Sequence, residues 1–240
     1  TAFGDKIIHD DLDLEVRQGE ILGVVGGSGS GKSVLLNSIL GLKQPDGGSI
    51  ELFGRDIAEM SALSEAERRI GVMFQQGALF SFLTVQENVK APFLEHSGLP
   101  LQLIADLARL KIKLAGLPDN AGALRPSELS GGMSKRAGVA RAIALDPDIL
   151  FLDEPTAGLD PIGASEFDDL IRSLRDALGF TVFMITHDLD TIYAICDRVA
   201  VVADRKVVAV APVAELEKSD HPWIKSYFLG PRGRAAARLK

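Results

Sequence analysis

The segment Gly26-Gly-Ser-Gly-Ser-Gly-Lys32-Ser33 fits the pattern G-x-x-x-x-G-K-[ST] and lies between a predicted strand and a predicted helix. Residues 21–25 before it form a continuous apolar run typical of a buried strand, and residues 32–40 after it have a helical pattern. Glycines let such a loop curl until its N–H groups and the positive helix end face an anion. The pattern predicts a phosphate-binding loop, with Lys32 at the β- and γ-phosphates of a nucleotide and the Ser33 hydroxyl on Mg²⁺.

Composition and charge limit the class of protein. The chain has 240 residues, of which 46% are hydrophobic and 25% charged, an ordinary globular composition that argues against disorder. Its net charge of −7 argues against a general affinity for nucleic acid or anionic lipid. The single cysteine, Cys196, excludes a disulfide framework and a multi-cysteine zinc site. No apolar run approaches the roughly 20 residues that span a bilayer, so we expect a globular intracellular protein.

Short apolar runs alternate with helical patterns, which favours an α/β domain with a largely parallel sheet. Residues 162–178 predict a helix that begins after Asp160-Pro161 and presents one apolar face. Further strands are predicted at residues 50–53, 70–74, 149–152, 181–185, 199–203 and 207–210.

The middle of the chain has a different pattern. Residues 77–144 show helical periodicity and no convincing strand, with a capping box at residues 84–87, an amphipathic helix at 101–115 and a helix from Ser130 to residue 145. We therefore predict a single domain over residues 1–240, with a helical subdomain at 77–144 inserted into the α/β core. Residues 231–240 hold four basic residues and no acidic one, and are predicted to form a solvated basic tail.

Two carboxylates, Asp153 and Glu154, follow the predicted strand at residues 149–152. A strand buried on both faces would deliver them at its carboxyl end, where α/β folds bind ligands. Asp153 would hold Mg²⁺ through water, and Glu154 would polarise the water that attacks the γ-phosphate.

A third motif is Leu129-Ser-Gly-Gly-Met133, in which Ser130 starts a helix whose backbone amides would form an anion site. With all three motifs in this order, the chain resembles the nucleotide-binding subunits of ABC transporters, whose signature sequence is usually L-S-G-G-Q. The resemblance covers essentially the whole chain. It implies a P-loop NTPase core of the ABC ATPase type, with an inserted helical subdomain and a small N-terminal β portion. It also implies that Ser130, Gly131 and Gly132 contact the ATP bound by the other subunit of a dimer.

The resemblance assigns roles to four more residues. Gln75 matches the Q-loop residue that couples Mg²⁺ and the attacking water to the helical subdomain, and Asp160 matches the D-loop. His187 matches the switch histidine that contacts the γ-phosphate. Phe3 stands where the family usually has an adenine-stacking tyrosine, with packing in the core as the alternative. The implied catalytic residues are Glu154, His187 and Gln75; the ATP-binding residues are Gly26, Gly27, Ser28, Gly29, Ser30, Gly31, Lys32, Ser33 and Phe3; and the Mg²⁺ ligands are Ser33, Gln75 and, through water, Asp153.

Met133 departs from the usual glutamine, and residues 71–80 and 81–89 resemble the ATPases of the Mla phospholipid-trafficking systems, which serve membrane proteins that carry lipid-binding MCE domains. The ending at residues 228–231 is similar more loosely, because that branch usually has a few residues between Phe-Leu and Gly-Pro. This branch implies phospholipid trafficking between the inner and outer membranes, driven by ATP hydrolysis. It implies a homodimer on integral-membrane permease subunits, beside an MCE-domain protein and without nucleic acid, at the cytoplasmic face of the inner membrane.

Other functions fit parts of the pattern. Amino-acid importers and drug exporters use the same ATPase for another cargo, but they usually carry glutamine at position 133. ABC proteins of DNA repair or translation tend to have tandem cassettes, coiled-coil inserts or zinc cysteines, which this sequence lacks. Glu154 and His187 are both present, so nothing indicates an ATP-binding module that does not hydrolyse. Phe80, Phe82 and Leu83 are predicted to anchor a permease helix, with an internal core for the subdomain as the alternative.

Overall fold

The computed structural model describes residues 1–3, 6–58, 68–75 and 79–230, and the side chain of Phe3 lies outside the described part. The chain divides into two compact units: unit 1 is Thr1–Leu63 together with Phe183–Lys240, and unit 2 is Ser64–Val182. Residues 77 and 78, where the predicted helical subdomain begins, and the predicted basic tail at 231–240 lie outside the described residues.

The described residues form ten strands and eight α-helices. The strands are β1 (Ala2–Phe3), β2 (Lys6–Ile7), β3 (Ile21–Gly26), β4 (Glu51–Leu52), β5 (Arg55–Asp56), β6 (Ile70–Met73), β7 (Ile149–Asp153), β8 (Thr181–Ile185), β9 (Arg198–Ala203) and β10 (Lys206–Ala211). The helices are α1 (Lys32–Ile39), α2 (Val85–His96), α3 (Leu101–Leu114), α4 (Gly131–Ala142), α5 (Pro161–Leu178), α6 (Leu189–Ile195), α7 (Val213–Leu216) and α8 (Pro222–Phe228), with 3₁₀ turns at Asp119–Ala123 and Pro126–Glu128.

Unit 1 is organised around β3, whose residues from Ile21 to Val25 are all buried. It runs parallel to β9, with Gly26 opposite Val202, and β9 turns back into the antiparallel strand β10. Burial on both faces explains the continuous apolar run, because a parallel strand is covered by helices on both sides. The strand therefore delivers the glycine-rich loop at its carboxyl end, directly before α1.

The predicted strand at residues 50–53 is shorter in the structure. β4 pairs with β5 in a small antiparallel hairpin. Phe53 (φ 55°) and Gly54 (φ 76°) form the turn, and both have positive φ. A two-residue turn of this kind fits the twist of the hairpin strands, which is why the strand stops at Leu52 although Phe53 is also apolar.

Unit 2 contains the parallel pair β6 and β7, in which Ile70 lies opposite Ile149 and Met73 opposite Leu152. Helix α5 follows β7 and ends at Gly179, which has φ 76°. Its buried residues include Phe167, at the spacing that the sequence predicted. The carboxyl ends of β6 and β7 thus lie side by side.

Helices α2, α3 and α4 lie within the predicted helical subdomain, and the described residues between 79 and 144 contain no strand. Thr84 and Glu87 form the predicted capping box of α2. The three helices share a buried core that includes Val89, Ala108 and Ala137. Helix α4 ends at Ala142 rather than at residue 145. The bounds 77–144 stay a prediction.

Strand β8 spans the division between the units. In unit 1 the Thr186 N–H, which follows it, donates to the Val24 carbonyl (3.3 Å), and in unit 2 the Thr181 N–H donates to the Asp148 carbonyl (2.9 Å). The α/β class predicted from the alternating pattern is confirmed. Among the described residues, no helix combines the length and the apolar character needed to cross a membrane.

Candidate nucleotide site

The phosphate loop of unit 1 joins β3 to α1. Gly31 is the N-cap of α1 and has φ 99°, a left-handed conformation that glycine adopts readily. A Cβ at Gly31 would clash with the His9 ring, and one at Gly26 would clash with the Val202 carbonyl and lie 2.6 Å from the Ser30 hydroxyl. Both glycines are therefore required by the packing of unit 1 itself.

The loop offers hydrogen-bond donors. The Lys32 ammonium donates to the carbonyls of Gly26 (2.8 Å) and Gly27 (3.1 Å), so it lies across the loop. The Ser30 hydroxyl is buried and has no hydrogen-bond partner among the described residues. Helix α1 starts without a side-chain cap and without an acidic residue in its first turn. Donors at a positive helix end fit phosphate oxygens, and the side chains of Ser28 and Ser33 are exposed beside them.

His9 supports this loop and was not singled out from the sequence. Its Nε2 lies 3.1 Å from the Gly31 carbonyl oxygen, to which it must donate because a carbonyl only accepts. The side chain is 6% exposed, and burial lowers the pKa of the imidazole. A lone histidine between two isoleucines and two aspartates carries no sequence signal for this contact.

The predicted switch histidine, His187, also lies in unit 1, exposed and directly after the buried Thr186. The Tyr227 hydroxyl on α8 donates to the His187 carbonyl (3.1 Å). Trp223 stacks on Tyr227, with ring centroids 4.8 Å apart, and its Nε1 lies 3.5 Å from where a Cβ on Gly27 would stand. Tyr227 thus contacts the switch segment, and Trp223 lies beside the phosphate loop. The sequence predicted neither contact.

In unit 2 the predicted Q-loop glutamine and the two acids leave the same edge of the parallel pair. Gln75 lies two residues beyond β6, and Asp153 and Glu154 lie at the end of β7. Glu154 has φ 48°, a left-handed conformation that is costly for a residue with a side chain. The two acids follow the carboxyl end of β7, as the sequence predicted, and Gln75 follows the same end of the neighbouring parallel strand β6.

Lys135 joins these segments. It lies on α4, is 7% exposed, and its ammonium donates to the carbonyls of Gln75 and Glu154, the latter at 3.2 Å. Burial lowers its pKa, while the carboxylates of Glu154 and Asp153 act in the opposite direction. The sequence showed Lys135 only as part of a basic pair.

The signature segment forms the start of α4. Ser130 is the N-cap, and its hydroxyl accepts from the Met133 N–H (3.2 Å). A Cβ at Gly131 would make ordinary contact with Leu159 (3.9 Å), and one at Gly132 would meet no atom within 4 Å. Within the described chain, neither glycine is required by a clash or by a positive φ.

Asp160, the predicted D-loop residue, caps α5: its carboxylate accepts from the N–H groups of Ile162 and Gly163, both at 3.0 Å. Phe3 pairs through its backbone with Lys6 between β1 and β2, and its predicted stacking role lies outside the described side chains. The predicted site residues therefore form two sets: the phosphate loop and His187 in unit 1, and Gln75, Asp153, Glu154, the signature segment and Asp160 in unit 2.

The segment predicted to contact a permease is described from residue 79 onward, and residues 76–78 lie outside the described part. Phe82 is 72% exposed and Phe80 47% exposed, with ring centroids 6.0 Å apart. The guanidinium of Arg141 lies over the Phe80 ring, 5.8 Å from its centroid. These rings lie at the surface of unit 2 and are not its core.

Comparison with known proteins agrees with this geometry. The ABC transporter family profile matches residues 9–157. The chain is 41% identical to the intermembrane phospholipid transport system ATP-binding protein MlaF of Haemophilus influenzae, over 95% of this chain and 86% of that protein. MlaF of Escherichia coli K12 is 39% identical over 95% of this chain and 85% of its own. A probable ribonucleotide transport ATP-binding protein, mkl of Mycobacterium leprae, is 37% identical over 96% of this chain and 67% of its own.

Solved structures resemble the fold. The ATP-binding cassette MJ0796, in a dimeric post-hydrolysis state bound to ADP and Pi, has a TM-score of 0.77 and 30% identity, over 85% of this chain and 90% of its own. The cbiO1 subunit of Clostridium perfringens, part of the ABC transporter complex cbiONQ, has a TM-score of 0.80 and 28% identity, over 97% of this chain and 92% of its own.

Proposed function

Because the chain belongs to the ABC transporter family, we propose that it binds and hydrolyses ATP to drive phospholipid transport between membranes. It is an Mla-type ABC ATPase. The observation that carries ATP binding is the phosphate loop, where Lys32, the buried Ser30 hydroxyl and the uncapped start of α1 offer donors to phosphate.

For hydrolysis, Glu154 accepts a hydrogen bond from the attacking water and polarises it, Gln75 helps to orient that water, and His187 contacts the γ-phosphate. The shared edge of β6 and β7 supports the first two roles, because it presents Gln75 and Glu154 on adjacent strand ends. The Ser33 hydroxyl, Gln75 and, through water, Asp153 would hold Mg²⁺, which neutralises charge on the phosphate oxygens when it is bound.

A homodimer supplies the signature segment in trans. A glycine in a helix costs up to about 1 kcal/mol relative to alanine, and the described residues give no steric reason for Gly132 at the start of α4. An open, donor-bearing helix start of this kind suits the close approach of a phosphate from another molecule. The dimeric structure of the cassette MJ0796 supports a dimer. Ser130, Gly131 and Gly132 of one subunit then contact the ATP of the other, with Asp160 in the neighbouring D-loop.

Membrane permease subunits bind at Phe80 and Phe82. Large exposed aromatic rings on a fixed loop are typical of a protein interface. The chain then lies at the cytoplasmic face of the inner membrane, held there by the permease, beside a lipid-binding MCE-domain protein.

The identity to MlaF supports phospholipid as the cargo. The relative from Mycobacterium leprae, whose name specifies ribonucleotide transport, supports the alternative of another cargo on the same ATPase. The test is reconstitution of the complex with its permease in phosphatidylethanolamine–phosphatidylglycerol vesicles. ATP-dependent transfer of labelled lipid to an MCE-domain protein is expected, whereas ATP-dependent uptake of labelled ribonucleotide without lipid transfer would contradict the cargo.

The catalytic assignment is tested by Glu154→Gln and Lys32→Ala. Glu154→Gln should bind ATP normally and lose turnover by about 10²–10⁴-fold, with an ATP-held dimer accumulating, because a water-polarising base is removed while the phosphate loop stays intact. Lys32→Ala should lose ATP affinity first. The measurements are single-turnover hydrolysis, titration with a fluorescent ATP analogue and size-exclusion chromatography with ATP. Near wild-type turnover in Glu154→Gln would refute the role of this glutamate.

A further inference from the structure

Lys135 is a buried charged residue of unit 2 to which the proposed function gives no role. It stands four residues after Gly131 on α4, and its ammonium is buried. It donates to the main chain at the ends of both parallel strands, at Gln75 and at Glu154. One cation thus ties together three segments that are distant in sequence.

The contact with Glu154 falls on a strained position. Glu154 has φ 48°, and its carbonyl accepts hydrogen bonds from the Lys135 ammonium (3.2 Å) and the Ala157 N–H (3.2 Å). A residue with a side chain keeps such a conformation only where its surroundings hold it there. A charged donor makes a stronger hydrogen bond than a neutral one. The Lys135 ammonium is thus the charged one of the two donors that hold the backbone from which the Glu154 carboxylate leaves.

Neighbouring cations on the same unit serve other partners. Arg136 donates to the Ala115 carbonyl (3.4 Å) and pairs with Glu166 (3.3 Å). Lys111 on α3 is equally buried, at 4% exposed, but it pairs with the Asp146 carboxylate. An ion pair with a carboxylate thus stabilises the buried Lys111, whereas Lys135 donates to the backbone of the two residues assigned to the attacking water.

We propose that Lys135 is a positioning residue for ATP hydrolysis, which fixes the backbone of Gln75 and Glu154 and connects both to helix α4. This inference rests on the proposed function, in which the start of α4 contacts the ATP of the other subunit. Through Lys135, the helix that contacts the partner's nucleotide is then hydrogen-bonded to the residues that orient the attacking water at the subunit's own nucleotide. Lys135 acts in this way through the main chain of Gln75 and Glu154.

The test is Lys135→Met, which keeps an unbranched side chain only one atom shorter and removes its donors. In the full-length dimer, kcat should fall about 10–100-fold, as expected when a reacting group is displaced by about 1 Å. The dissociation constant of a fluorescent ATP analogue should stay within about 3-fold, because the phosphate loop is unchanged. Lys135→Arg should restore most of the turnover. Lys111→Met is the matched control, since it also removes a buried ammonium and should leave kcat unchanged.

A second measurement separates positioning from a structural role. Lys135→Met combined with Glu154→Gln should still form the ATP-held dimer, because the start of α4 is intact. Loss of that dimer would show that Lys135 supports the helix start instead, and would overturn the proposal. If Lys135→Met fails to fold, Lys135→Gln, which keeps amide donors on a shorter side chain, should fold with a reduced kcat. Wild-type kcat in a folded Met or Gln variant overturns the proposal, whereas normal turnover in Glu154→Gln alone overturns the proposed catalytic function as well.

Discussion

The phosphate loop and the start of α4 are both glycine-rich helix starts, but they have different reasons for their glycines. Gly26 and Gly31 are surrounded by the chain's own atoms, and a Cβ at either would clash. Gly132 faces open space. The first set of glycines is explained by folding within one unit, whereas the second makes sense for a surface that another molecule approaches. The comparison separates residues that build the site from residues that complete it from outside.

The largest effect should come from combining one substitution in the phosphate loop with one at the start of α4. With Lys32→Ala on one subunit and Ser130→Arg on the other, both changes fall on the same composite site and about half of the activity should remain. With both changes on one subunit, both sites are damaged and turnover should fall by about 10²-fold or more. The measurement is ATP hydrolysis by obligate heterodimers. Identical activities would show that the site is built within one chain.

Gly31→Ala should come next. Alanine at φ 99° and in contact with His9 costs about 1–3 kcal/mol in strain, so ATP affinity should fall about 10–100-fold. Gly47→Ala is the control, because it has open space around it and no positive φ. Titration with a fluorescent ATP analogue, together with thermal unfolding, measures both. Wild-type affinity in Gly31→Ala would mean that the loop rearranges at no cost.

Gly132→Ala should have a smaller effect with the opposite sign for stability. Alanine favours the helix, so the free energy of unfolding of the subunit should rise by up to about 1 kcal/mol, with ATP affinity unchanged. The ATP-dependent dimer and its turnover should weaken about 10-fold, since a methyl group would stand where the partner's phosphate approaches. Unfolding curves and chromatography with ATP in the Glu154→Gln background are the measurements. Unchanged dimerisation would end the distinction between the two kinds of glycine.

Phe82→Asp should have the smallest effect on the isolated subunit, because the ring is 72% exposed. Melting temperature and ATP affinity should stay close to wild type, as for most surface substitutions. Pull-down of the permease should be lost, because the charge would be buried unpaired in the contact. Leu42→Asp, at a leucine that is 67% exposed in unit 1, is the control that should still bind. An unfolded Phe82→Asp subunit would show that the ring is core.

The sequence predicted the strands and helices that depend on neighbouring residues along the chain. β3 and α1 follow from an apolar run and a glycine-rich loop, and the capping box of α2 follows from Thr84 and Glu87. The end of α4 was predicted wrongly, since the buried residues Ile143 and Ala144 continue the apolar pattern through a turn. Periodicity records burial and not the helix itself.

The contacts of Lys135 and Tyr227 could not be predicted from the sequence, for a different reason. Lys135 reaches Gln75 across 60 residues and Tyr227 reaches His187 across 40. Both contacts are made to backbone carbonyls, which every residue type carries. The identity of the accepting residue therefore cannot predict them. The family resemblance gave Gln75 and Glu154 to one site, and in the structure the strands before them, β6 and β7, are parallel neighbours.

The buried amide of Asn88 has a consequence for how fast a partner binds. Asn88 is fully buried. Its Oδ1 accepts a hydrogen bond from the Phe80 N–H (2.8 Å), and its Nδ2 donates to the carbonyls of Phe80 (3.2 Å) and Thr84 (3.0 Å). The loop that displays Phe80 and Phe82 is thereby fixed before any partner arrives. Association then loses little loop entropy and needs no conformational rearrangement of this loop, so encounter rather than ordering sets its rate.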